Sequence, residues 1–273
     1  MLHALTREVS RAIADCQLTH LERESIDLDR TRAEHRAYVR TLKGLGVRVI
    51  ELPEEPELPD SVFVEDTVIV VGGVAVVLRP GALSRRAETP GVARALAVHL
   101  EVRHLDGEGT VDGGDVLRFG TTLFVGLSTR SDPAGIAALG RAVAPLGFAV
   151  RGVALGGCLH LKSAVTVIGE VGGVGESTLL VNDDWVDPAV FAASAIVKID
   201  PAEPYAANAL RVGESLVYPR AFPATAERLR AHGFELALIE VSELAKAEGA
   251  VTCCSVLFES PRRQASGAAT PVR

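Results

Sequence analysis

The chain has 273 residues, 48% of them apolar and 23% charged, which is the composition of an ordinary globular fold rather than a disordered or fibrous one. A formal net charge of −7 argues against a nucleic-acid binder, which normally presents a basic face, and is compatible with a small cationic partner. The N-terminal stretch MLHALTREVSRAIADC carries no signal-peptide core, and the longest apolar run, VIVVGGVAVVL (68–78), is too short to cross a bilayer, so a cytoplasmic protein with no membrane partner is expected.

The first predicted element is a helix over 31–46 (TRAEHRAYVRTLKGLG), followed by the strand VRVIEL. A hairpin-like strand pair, VEDTVIVVGGVAVVL (64–78), comes next. The same succession then recurs. A helix over 89–100 leads to EVRHL and to GGDVLRFGTTLFVG (113–126). A helix over 132–147 leads to FAVRGVAL, then LKSAVTVIGE (161–170) with STLLVN (177–182) behind it. A helix over 186–194 leads to AIVKID and AANALRVGESLVYP (206–219). A helix over 222–233 leads to FELALIEV and TCCSVLFE (252–259). Asp132 and Asp187 can cap helices whose first turns hold Pro133 and Pro188. Gly46, Gly147 and Gly233 stand where a left-handed residue ends a helix. The tail 261–273 is expected to be disordered.

Aligning Asp66, Asp115, Ser163, Asn208 and Ser255 gives intervals of 49, 48, 45 and 47 residues. Units of this length cannot bury a core alone, so the repeat predicts one closed α/β ring over residues 1–260: a five-bladed β/α propeller with pseudo-five-fold units of about 47 residues around a central channel. An ordinary α/β sandwich is the competing architecture.

The repeat also places chemistry. Asp112 and His160 sit three residues before their aligned positions, Cys253 two before its own, and Glu65 and Asp66 lie at the same level in the first unit. Symmetry thus brings an acid, a histidine and a thiol to one end of the channel. A thiol beside an imidazole suits nucleophilic catalysis, and a carboxylate can fix the tautomer of the ring. Cys253 and Cys254 fall in a segment of strand-forming residues, so Cys253 is expected to face the channel and Cys254 the shell. In a cytoplasmic chain the four cysteines, including Cys16 and Cys158, are expected to be reduced thiols. No C-x-x-C spacing occurs, so no structural metal is expected.

The segments LPDSVFVEDTVIV, RPGALSRR, VDGGDVL, FVGLSTR, LHLKS and SELAKAEGAVTCCSVLF, in this order, resemble the dimethylarginine dimethylaminohydrolases over about residues 18–258. These enzymes belong to the guanidine-modifying superfamily with the pentein fold. The resemblance implies hydrolysis of Nω,Nω-dimethyl-L-arginine and Nω-methyl-L-arginine to L-citrulline plus dimethylamine or methylamine, through a covalent thiouronium and without a cofactor. It implies Cys253 as nucleophile, His160 as general acid/base and Asp112 as the orienting acid, an Asp where many bacterial relatives carry Glu. It also implies Asp60, Glu65 and Asp66 around the guanidinium, Arg85 and Arg130 on the α-carboxylate (with Arg86 a competitor for the place of Arg85), and Leu18 and Ala247 on the amino-acid end through backbone carbonyls. The polar loop 14–27 is expected to cover the pocket. A homodimer is admitted as a candidate assembly. The alternatives are an arginine deiminase, a hydrolase of another guanidino compound, and a non-catalytic pentein acting as a binding module.

Overall fold

The first strand of the protein is one the repeat leaves unassigned. In the computed structural model, which describes residues 1–170, 177–193 and 195–260, the chain opens with β1 (Leu2–Arg7), α1 (Leu28–Gly44) and β2 (Arg48–Leu52). The succession then repeats: β3 (Val68–Val71), β4 (Val74–Val77), α2 (Thr89–Leu96), β5 (Glu101–His104); β6 (Val116–Phe119), β7 (Thr122–Leu127), α3 (Pro133–Val143), β8 (Ala149–Ala154). Next come α4 (Leu161–Ala164), β9 (Val165–Glu170), β10 (Ser177–Val181) and β11 (Ala195–Lys198). The chain continues with β12 (Leu210–Val212), β13 (Ser215–Pro219), α5 (Pro223–Ala231), β14 (Glu235–Ile239), α6 (Ser242–Ala245) and β15 (Val256–Glu259). The expected disordered tail, 261–273, lies outside the described residues.

These strands make five three-stranded sheets, the blades of a β/α propeller. In four of them the first two strands form an antiparallel hairpin and the third returns parallel to the second. A parallel return needs a crossover, which is where the helices lie. The fifth sheet, β15-β1-β2, closes the ring with both ends of the chain. There β1 takes the place of a second hairpin strand, antiparallel to β15 (Leu2 opposite Glu259) and parallel to β2.

The helices fill the wedges between neighbouring blades. Tyr38, Val39 and Leu42 of α1 pack with Val217 and Ile239 of the preceding blade, and Leu139 and Val143 of α3 pack with Ile69, Val71 and Val76. Leu42 and Leu139 are fully buried, each worth roughly 1.5–3 kcal/mol of transfer free energy. Asp132 caps α3 by accepting from the Gly135 amide. Gly46, Gly147 and Gly233 take the left-handed conformations their positions require (φ 83°, 83° and 87°). The helix expected over 186–194 condenses to a 3₁₀ turn, Pro188–Phe191, ended by Ala192 at φ 48°. Residue 194 is outside the described residues.

The aligned polar positions stitch the blades together at one end of the ring. Asp66 accepts from the Gly114 amide of the next blade (2.9 Å), and Asp115 from the Leu161 amide of the one after (3.0 Å). Asn208 donates to the Lys162 carbonyl and accepts from the Thr252 amide, and the Glu65 amide donates to the Cys253 carbonyl to close the circle. The central channel, a cavity of about 280 Å³, is lined by the first strands of the blades together with Glu65, Lys162 and Thr252.

Candidate active site

In four blades a short helical or turn segment leads into the first strand: Val64–Thr67, Gly113–Asp115, α4, and the turn over 251–254. Asp112 and His160 occupy the same position in theirs, the extended residue just before the turn. Their side chains meet: His160 Nε2 lies 3.2 Å from Asp112 Oδ2. The other oxygen of Asp112 accepts from the Gly81 amide (2.8 Å). On the opposite edge of the ring, His160 Nδ1 is 3.8 Å from Asp66 Oδ1. Two glycines permit this convergence. A Cβ on Gly113 would stand 1.9 Å from the Glu65 carbonyl oxygen, and one on Gly114 2.6 Å from His160 Nδ1.

Cys253 reaches the same place from the last blade, though not from a strand. The strand-forming residues around the two cysteines are overridden by the turns that follow α6. The Gly249 amide donates to the Leu244 carbonyl and the Cys253 amide to Ala250, and β15 starts only at Val256. Both sulfurs are buried, but only Cys253 lines the small cavity beside His160; the Cys254 thiol contacts the Ala250 carbonyl within the apolar core. All four cysteines are free thiols.

That cavity measures about 20 Å³, room for about one water molecule. Asp60, Asp66, Arg85, Arg130, Gln17, Phe63, Leu159, Ala247 and Glu248 complete its wall. The loop 14–27 borders it through Gln17. The Gln17 amide donates to Asp60 (3.2 Å), and Arg130 Nη2 donates to Thr19 Oγ1 (3.2 Å). A larger, mainly apolar cavity of about 310 Å³ shares Leu159 and Glu248 with it and is otherwise bounded by residues including His20, Leu21, Tyr205 and Phe222.

The neighbouring carboxylates favour the protonated form of both the imidazole and the thiol. Burial disfavours the His160 cation, but the Asp66 charge, the hydrogen bond that Nε2–H donates to Asp112 and the charge of Asp115 outweigh it and raise the pKa to about 9. Burial followed by the Glu65 and Asp66 charges pushes the Cys253 thiol far up. Burial also lifts Asp60, whereas Asp66 is held low by His160 and Arg85 against its own burial. The ligand atoms of Asp66, Asp112 and His160 lie within 4.8 Å of one another. Asp66 and Asp112 already accept from Gly114, Arg85 and Gly81, so the trio reads as a proton network.

A family model described as eukaryotic N,N dimethylarginine dimethylhydrolase matches residues 10–172. A relative named N(G),N(G)-dimethylarginine dimethylaminohydrolase from Streptomyces coelicolor is 40% identical over 93% of this chain and 95% of its own. The chain belongs to the dimethylarginine dimethylaminohydrolase family. A second relative of the same name, from Pseudomonas aeruginosa, is 30% identical over 94% of this chain and 99% of its own. A solved structure of the Pseudomonas aeruginosa dimethylarginine dimethylaminohydrolase, a cysteine-to-serine mutant complexed with citrulline, superposes with a TM-score of 0.85 at 29% identity, covering 94% of this chain and 98% of that one.

Within this dimethylarginine dimethylaminohydrolase frame, Cys253, His160, Asp60, Asp66, Arg85, Arg130 and Ala247 line one cavity, with Asp112 directly behind His160. Two positions read from the sequence do not line it. The Leu18 side chain packs into the apolar cluster beneath the loop. Glu65 faces the channel, where Lys162 Nζ pairs with it (2.5 Å) and Thr252 donates to its second oxygen (2.8 Å). Arg86 is also elsewhere, donating to the Pro80 carbonyl beside a separate surface cavity. Arg85 donates to Asp66, Glu88 and the carbonyls of Asp60 and Phe63, which leaves one N–H uncommitted. The sequence reading missed Gln17, Phe63, Leu159, Lys162 and Glu248. Each lies within two residues of one that was found, and neighbourhood in the motif is the signal that would have found them.

Proposed function

We infer that the protein hydrolyses Nω,Nω-dimethyl-L-arginine and Nω-methyl-L-arginine to L-citrulline and dimethylamine or methylamine, with residues 1–260 as its catalytic unit. The observation that carries this reading is the convergence of Cys253, His160 and the Asp66 carboxylate on one cavity, in a chain of this family. The citrulline complex of the Pseudomonas aeruginosa relative supports it.

Asp66 and Asp60 receive the guanidinium, and Arg130 with the free N–H of Arg85 receives the α-carboxylate. The Leu18 and Ala247 carbonyls take the amino group. Phe63 and Leu159 give the cavity an apolar wall that tolerates N-methyl groups, which favours methylated arginines over arginine itself. Glu65 acts through its charge on Cys253 rather than by contact.

Before substrate arrives Cys253 is a neutral thiol, because burial and two carboxylates oppose its ionisation. A guanidinium seated on Asp66 reverses that balance, and the thiol proton passes to solvent as the thiolate forms. The sulfur attacks the guanidinium carbon, forming the C–S bond. His160 is protonated, with Nε2 held by Asp112, and gives a proton from Nδ1 to the departing amine as its C–N bond breaks. The resulting neutral imidazole takes a proton from water. The hydroxide adds to the thiouronium carbon, the C–S bond breaks, and citrulline leaves with the thiolate restored.

No helix among the described residues is long and apolar enough to cross a membrane. Four buried free thiols fit a reducing compartment, and we place the protein in the cytoplasm with a small cationic substrate as its partner. The test is citrulline release from dimethylarginine, monomethylarginine and arginine by the wild type and Cys253→Ser. Turnover of the methylated substrates above arginine, lost in the variant, is expected. Equal or faster turnover of arginine assigns a deiminase instead.

A further inference from the structure

Glu248 stands out three residues after the end of α6. It is one of two non-glycine residues with positive φ among the described residues (φ 55°), in a position after a helical turn where glycine is usual. Its side chain accounts for the choice. The carboxylate accepts the amides of Thr19 (3.0 and 3.1 Å), His20 (2.5 Å) and Leu21 (2.7 Å). Three successive N–H groups converging on one anion form a nest, and charge-assisted bonds of this kind are stronger than neutral ones.

The loop so held bears on the site. Thr19 orients Arg130 through Oγ1, and Gln17, two residues earlier, lines the cavity and is tied to Asp60. The enclosed space of about 20 Å³ cannot admit an arginine side chain, so the loop lifts for entry. The loop also supplies His20 and Leu21 to the wall of the neighbouring cavity of about 310 Å³, which shares Leu159 and Glu248 with the site.

We propose that Glu248 is a positioning residue, a latch whose carboxylate gathers the amides of residues 19–21, closes the loop over bound substrate and sets Arg130 through Thr19. This rests on the reading that a methylated arginine reacts in the cavity below. The latch is formed in the closed enzyme with substrate and transition state alike, so its loss appears mainly in KM.

The test compares wild type, Glu248→Gly and Glu248→Gln. Glycine suits the left-handed backbone, so Glu248→Gly removes the carboxylate while relieving the local conformation; Glu248→Gln keeps the length with a weaker, uncharged acceptor. Amide-resolved hydrogen exchange is expected to quicken at least tenfold at Thr19, His20 and Leu21 in Glu248→Gly, and less in Glu248→Gln, with no fall in melting temperature for the glycine variant. KM for dimethylarginine is expected to rise about tenfold, with kcat within threefold. Exchange as slow as in the wild type overturns the latch. Faster exchange with KM unchanged overturns its role toward substrate. A wild type inactive on methylated arginines defeats the reading of the function, while the exchange rates still decide the latch.

Discussion

Asp112→Asn tests the proton network at the point where geometry gives the clearest expectation. The Asp112 carboxylate is fully buried, with Oδ1 on the Gly81 amide at 2.8 Å and Oδ2 at 3.2 Å from His160 Nε2. In the asparagine variant the amide oxygen keeps Gly81, which turns the NH₂ group toward Nε2. A charged acceptor becomes a donor that opposes the imidazolium. A hydrogen bond to a charged group is worth about 1.5–3 kcal/mol, and about 1.4 kcal/mol corresponds to one pH unit. The His160 pKa, raised to about 9 in the wild type, should therefore fall by roughly one to two units. Stability changes with it. A histidine whose folded pKa lies above its unfolded value stabilises the fold below the unfolded value, and that stabilisation is lost as pH rises through about 9. The wild-type contribution is about 3 kcal/mol, so unfolding free energies near pH 6 and above pH 9 should differ less in the variant. Titration by ¹⁵N-histidine NMR, with His160→Gln to assign the ring, reads the pKa directly. A wild-type His160 titrating near 6.5, or a pKa unmoved by Asp112→Asn, refutes the reasoning.

Gly114→Ala puts a methyl group 2.6 Å from His160 Nδ1 and 2.8 Å from Asp66 Oδ1, so kcat should fall at least about 100-fold with a loss of about 1–3 kcal/mol in stability by urea unfolding. Lys162→Met removes the cationic partner of the largely buried Glu65 and should cost about 3 kcal/mol at pH 8. The cost should shrink between pH 8 and pH 5, because burial raises the Glu65 pKa and removing Lys162 takes away the charge that lowers it; equal losses at the two pH values contradict the pairing.

The repeat was legible because burial imposes it. The first strands line one channel, so apolar runs recur at each blade, and the polar residue before each run must stitch to the next blade. Asp66, Asp115 and Asn208 do so. Asp112 and His160 could be paired from spacing alone since they hold the same place in consecutive blades. What the repeat could not show is where the ring closes. β1 is paired by both β15 and β2, and its only sequence signal is a six-residue apolar-rich stretch at the N-terminus. The cysteine segment misled for a related reason: strand-forming residues were read as strand, while contacts with Asn208 and the turns after α6 decide the backbone there. Glu65 and Asp66 are adjacent in sequence but diverge in the turn Val64–Thr67, one toward the channel and one toward His160. Spacing could not separate them.

The most direct test of the central claim is rapid acid quench of the enzyme turning over saturating dimethylarginine, followed by peptide mass spectrometry. The account predicts an adduct on Cys253 with the mass of the substrate less dimethylamine, absent in Cys253→Ala. An adduct on another residue, or citrulline formed with Cys253 replaced, contradicts it.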